Sequence, residues 1–105
     1  MRLYIIRKLQ GINAIAEYEA EKRVFKVLKN SVVSQNISEA KTFRGAKTVK
    51  TLREKYVKNN IVQEDIVFKS SSTAANFVTG SSTDGLRTWK NEEGKSLKAI
   101  ISGKE

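Results

Sequence analysis

The chain is predicted to be an α+β protein, a small antiparallel sheet with two or three short packed helices, in one domain over residues 1–105. Three observations carry that prediction. Ile12, Ala14, Ala16 and Tyr18 alternate with polar neighbours at the period of two of a half-buried strand. Val49, Leu52 and Tyr56 recur at i, i+3 and i+7, the stripe of an amphipathic helix. Between Ser70 and Ile100, a serine cluster, Gly80, Asp84–Gly85 and Glu93–Gly94 punctuate short apolar runs.

Taken in order, residues 2–9 read as a strand built on Leu3, Tyr4, Ile5 and Ile6, broken by Gly11. The alternating strand follows, with Ile15 on its other face. After a turn near Ala20–Lys22, Val24, Phe25, Val27 and Leu28 form the returning strand. Asn30 supplies the left-handed conformation that a tight turn needs. Residues 34–43 read as a polar connection. A helix is expected from Ala46 to Asn59, stopped by Asn59–Asn60, with Ile61–Val62 anchoring its exit and Ile66–Phe68 a short strand. A helix over Thr73–Thr79 buries Ala74, Phe77 and Val78 and ends at Gly80. An Asp84–Gly85 turn, a strand over Leu86–Lys90, a Glu93–Gly94 turn and a final helix with Leu97, Ile100 and Ile101 inward complete the reading.

A domain of 105 residues hides roughly 65% of its unfolded surface, so the 39% hydrophobic fraction suffices for a modest core. No run approaches the roughly 18 apolar residues of a membrane span, and four apolar residues before Arg7 are too few for a secretory leader. A cytoplasmic protein without membrane contact is expected. Cysteine and histidine are absent, which removes disulfides, thiol nucleophiles, the usual zinc sites and histidine acid–base chemistry. Proline is absent too, and with it slow prolyl isomerisation.

The net charge is +9, and it is concentrated: Lys41 to Lys58 hold seven basic residues against Glu54 alone. Such a surplus attracts polyanions, because cations on phosphates release condensed counterions. The alternative is a solvated surface, with Lys50 and Glu54 as an i, i+4 pair. If the helix meets phosphates, Lys47, Lys50 and Arg53 are the first candidates.

The run Ser71-Ser72-Thr73-Ala74-Ala75, then Gly80, then Asp84-Gly85-Leu86-Arg87-Thr88-Trp89-Lys90, then Gly94-Lys95-Ser96-Leu97, resembles the bacterial and archaeal domain of unknown function 4357. Members of that family show a small-residue "S-P-S-A-A" helix start, an "N-G-W-x-x-W-K" strand and a "G-K-x-L" close. The resemblance covers residues 12–100, with Ser72, Asp84 and Leu86 standing where the family has proline, asparagine and its first tryptophan. It implies an accessory module of DNA metabolism, since such domains sit in proteins with GIY-YIG-type nucleases or beside restriction–modification systems. It implies no catalytic residue.

The remaining candidates each have two readings. Ser70, Ser71, Ser72 and Thr73 cap a helix, or cap it and, with Lys69, also hold a phosphate at its N-terminus. A nucleophilic serine would need a lysine base, and the cluster offers none at Ser-x-x-Lys spacing. Trp89 is either core or a platform for stacking a base beside Arg87 and Lys90. Glu17, Glu19 and Glu21 lack the oxygen ligands of a cation site. The expectation is a non-enzymatic binding module without cofactor or metal. DNA is the favoured ligand, and a fused or partner nuclease or methyltransferase supplies the chemistry. The alternative is protein–protein interaction or dimerisation through the edge strand Leu3–Ile6 or Trp89.

Overall fold

The computed structural model describes residues 1–102. The strand β1 (Arg2–Arg7) pairs antiparallel with β2 (Ile12–Glu19), in a register that sets Tyr4 opposite Ile15 and Arg7 opposite Ile12. β1 ends at Arg7, not at residue 9: Lys8–Gln10 form a 3-10 turn closed by Gly11 in the left-handed region (φ 70°). β2 returns through β3 (Val24–Val27), and β6 (Ile66–Phe68) adds to the far side, giving the order β1-β2-β3-β6.

The helix α1 (Ala46–Tyr56) stops three residues short of the sequence expectation. Asn59 and Asn60 do not stop it. Both have positive φ (54° and 65°) and form the two-residue turn of a hairpin joining β4 (Val57–Lys58) to β5 (Ile61–Val62). Two positive φ values are what a type I′ hairpin turn requires, and asparagine tolerates them.

α2 (Ser71–Thr79) begins where Ser70 Oγ accepts the Thr73 amide at 3.1 Å, and Gly80 (φ 74°) ends it. The Leu86–Lys90 strand is corrected: residues 85–88 form the short helix α3 (Gly85–Thr88). Asp84 is its N-cap, with Oδ1 accepting the Leu86 amide at 3.1 Å. An Asp-Gly pair serves hairpin turns and helix starts alike, and here the cap prevails. Only Trp89 and Lys90 are extended. Lys90 bridges both Tyr4 and Ser96, which covers part of the β1 edge. α4 (Leu97–Ser102) buries Leu97 and half-buries Ile100, while Ile101 is exposed, against the inward position expected of it.

The architecture is α+β, with a four-stranded antiparallel sheet, a separate two-stranded hairpin and helices against one face of the larger sheet. Leu3, Ile5, Ala14, Ala16, Phe25, Val27, Ile66 and Phe68 point to the core, which they share with Ala74, Phe77, Val78, Trp89 and Leu97. Trp89 stacks obliquely on Phe25 (centroids 5.0 Å apart) and Phe77 on Phe68 (5.4 Å), adding to the area they bury. The opposite sheet face carries a cross-strand row of Arg2, Glu17, Lys26 and Val67. No described helix is long and apolar enough to cross a membrane.

Candidate nucleic-acid interface

Two stretches of the sequence motif prove to be one structural unit. The Trp89 indole N–H donates to Ser71 O at 3.0 Å, and the Gly85 amide donates to Ser72 Oγ at 3.1 Å. Gly85 lies so close to the Ser71–Ser72 peptide that a Cβ would collide with backbone atoms. The start of α3 is thereby docked on the start of α2. This contact is what ties the serines, Gly85 and Trp89 into one unit. Trp89 is wholly buried and offers no face for a base to stack on. Ser71 and Ser72 are half-buried with their motif contacts turned to α3, while Thr73 is exposed and hydrogen-bonded to Ser70 Oγ. The α2 N-terminus is therefore capped from within and walled on one side by Gly85.

Arg53 also leaves the surface set. It is buried on the inner side of α1 (9% exposed). Its guanidinium donates to Phe77 O (2.8 and 3.1 Å), Val78 O (3.2 Å), Ser34 O (2.7 Å) and Ser34 Oγ (2.8 Å). Phe77 O and Val78 O are carbonyls at the end of α2, where the helix dipole favours a cation, and Ser34 belongs to the loop beside it. Burial pulls the group down to about 10, so it remains charged at neutral pH. Its place on the helix gave the warning: Arg53 is one residue from Leu52 and four from Val49, on the flank of the apolar stripe.

The remaining candidates are exposed but not gathered at one point. Lys47 and Lys50 lie on the outer side of α1 with Glu54, and neither forms an ion pair among the described residues. Lys69 borders a shallow groove of about 370 Å³ with Ser70 and Leu86, and Arg23 joins it there from the β2–β3 turn. Arg87 forms an exposed ion pair with Asp84 (3.4 Å). With Lys90 and Arg7 it lines a second groove, about 350 Å³, running past Tyr4. The Tyr4 hydroxyl donates to Glu92 at 3.1 Å, and partial burial together with that carboxylate holds its pKa above the ordinary phenol value.

Arg7 and Arg23 were missed from the sequence. Each sits beside a turn whose geometry is set by a positive φ, at Gly11 (70°) and at Arg23 itself (52°). A basic residue flanking a predicted turn was the available signal. Among the described residues no cluster of acidic side chains is placed to hold a metal ion.

A family model described as a domain of unknown function (DUF4357) matches residues 4–101. No curated protein and no solved structure matches the chain.

Proposed function

Since the chain belongs to the DUF4357 family, matched over nearly its whole length, we propose that it is a non-catalytic module that binds nucleic acid, DNA in the first place, through phosphate contacts. The observation that supports this reading is a surplus of exposed cations without acidic partners. Twenty lysines and arginines face eleven acids. Among the described residues Arg7, Arg23, Lys47, Lys50, Lys69 and Lys90 form no ion pair. Unpaired surface cations cost little in stability and supply counterion-release binding to a polyanion.

The interface follows the exposed cations rather than the residues withdrawn into the fold. Lys47 and Lys50 on α1, Lys69 with Arg23, and Arg87 with Lys90 and Arg7 are the contacts; Arg53 and Trp89 hold the domain together. In a cytoplasmic setting such a module localises a nuclease or DNA-modifying enzyme on its substrate, in line with the settings the resemblance implies.

Fluorescence anisotropy with a labelled duplex, titrated with salt, tests the reading. Each phosphate contact adds about 0.9 to the log–log salt slope, so the double reversal K47E/K50E lowers the slope by about 1.8. Absence of binding at low salt, or binding indifferent to salt, overturns the proposal and leaves the charge as a solvated surface. In that case docking to a protein is the second reading: β6 is a sheet edge whose Val67 is 62% exposed.

A further inference from the structure

The most exposed apolar side chain among the described residues stands beside a cationic pair, Arg7 and Lys8. Leu9 is fully exposed (104%), at the apex of the 3-10 turn that joins β1 to β2. Ile6, one strand position before Arg7, is 56% exposed. Arg7 and Lys8 lie between them. A Cβ added at Gly11 would meet nothing within 4 Å, so this side of the tip is open. Its base is firm, because β1 and β2 are paired from Arg7–Ile12 back to Arg2–Glu17. A hairpin held in register presents its tip side chain in a defined direction instead of folding it back onto the surface.

The surroundings of the tip suit a phosphate backbone. Arg7 lines two grooves: one continues to Arg87 and Lys90, and the other is bordered by Leu9 itself with Gln10, Asn36 and Ser81. An apolar wedge beside cationic side chains is an arrangement by which proteins pry apart a base step while holding neighbouring phosphates. A membrane surface is the weaker fit, since one leucine and a few cations fall short of a stable anchor.

Resting on the nucleic-acid reading above, we infer that the β1–β2 hairpin is a wedge and that Leu9 inserts into a base step of a duplex. Unstacking a base step is costly, so the wedge favours duplexes whose stacking is already weakened, such as one with a single-nucleotide bulge. Arg7 and Lys8 hold the adjacent phosphates.

Leu9 touches no core residue, so substituting it leaves the fold intact and the binding result interpretable. The experiment compares wild type, L9A and L9W against a perfect duplex, the same duplex with a one-nucleotide bulge, and anionic phosphatidylserine vesicles. Wild type is expected to prefer the bulged duplex. L9A should lose that preference and bind the bulged duplex about tenfold more weakly, in proportion to the apolar area no longer buried. The indole introduced by L9W is quenched on the bulged duplex, whereas Trp89, wholly buried, contributes a constant background. If the duplexes bind wild type and L9A equally, with unchanged L9W emission, the wedge is refuted and phosphate binding stands. If no duplex binds at low salt, both readings fail. A blue shift of L9W with vesicles alone also overturns the wedge and assigns the tip to a lipid surface.

Discussion

Arg53→Met removes the buried cation while keeping most of its volume, and it separates a structural role for Arg53 from a phosphate-binding one. In the native fold the guanidinium is a donor to Phe77 O, Val78 O and Ser34 O. Val78 O keeps a second donor, the Ser34 amide at 2.9 Å. Phe77 O and Ser34 O lose their Arg53 donors. An unsatisfied buried carbonyl costs about 1–3 kcal/mol, which sums to about 2–6 kcal/mol for the two. Relief from burying a charge returns part of this. The expected net loss is about 2–4 kcal/mol, out of a total stability of about 5–15 kcal/mol for a domain of this size. Urea unfolding followed by Trp89 fluorescence should show the midpoint falling by about 1–2 M. The control is Lys50→Met on the outer side of the same helix, which should stay within about 0.5 kcal/mol of wild type. R53K should fall between the two, because an ammonium keeps the charge but lacks the planar fork that reaches separate carbonyls. A stability of R53M within about 0.5 kcal/mol of wild type, coupled with loss of nucleic-acid binding, would refute the assignment of Arg53 to the fold.

Three further outcomes follow from the same contacts. Gly85→Ala drives a methyl group into the Ser71–Ser72 peptide, and overpacking against backbone should destabilise by about 1–3 kcal/mol in thermal or urea unfolding. Ser70→Ala removes the side-chain cap on the Thr73 amide and should cost about 1 kcal/mol, without altering the salt slope of nucleic-acid binding. With neither histidine nor cysteine present, no side chain ordinarily titrates between about pH 6 and 8. Arg53, pulled down to about 10, is still protonated there. Unfolding free energy measured in urea should therefore be flat between about pH 6 and 7. The unfolded chain keeps the Arg53 proton to higher pH than the folded one, so this group's contribution rises with pH only from about 10 upward.

The sheet was legible because its signals are local and redundant. Alternation located β2, β3 formed the expected return, and Gly80 ended α2 as its conformational freedom requires. The failures came where one residue pair serves two structures. Asp84–Gly85 opens a helix here, and Asn59–Asn60 turns a hairpin. Local sequence does not distinguish these uses, because the choice depends on what the turn packs against. The candidate site was less legible for a related reason. Lys47, Lys50, Lys69, Arg87 and Lys90 are exposed as a binding role requires, but charge alone did not reveal that Arg53 turns inward. Its partners are backbone carbonyls some twenty residues away in sequence, and carbonyls leave no mark in composition. For Trp89 the core alternative is the one the structure takes. Arg7 and Leu9 were hidden by reading the first strand too long, which placed a protruding turn inside a sheet.

The bridge between Tyr4 and Lys90 also bears on how the chain is made. The Tyr4 amide donates to Lys90 O at 2.7 Å, and the Lys90 amide returns a bond to Tyr4 O at 3.1 Å. On a ribosome adding about 5–20 residues per second, β1 emerges several seconds before the segment that covers its edge. During that interval a strand rich in Leu, Tyr and Ile has open backbone groups, the condition under which nascent chains pair with one another. Arg2 and Arg7 mark the two ends of the strand, and charges in those positions act as gatekeepers against such pairing. Without proline in the sequence, no isomerisation delays closure once Lys90 arrives. The positive charge at the strand ends thus sits where it would hinder pairing of an edge that only the last part of the described chain covers.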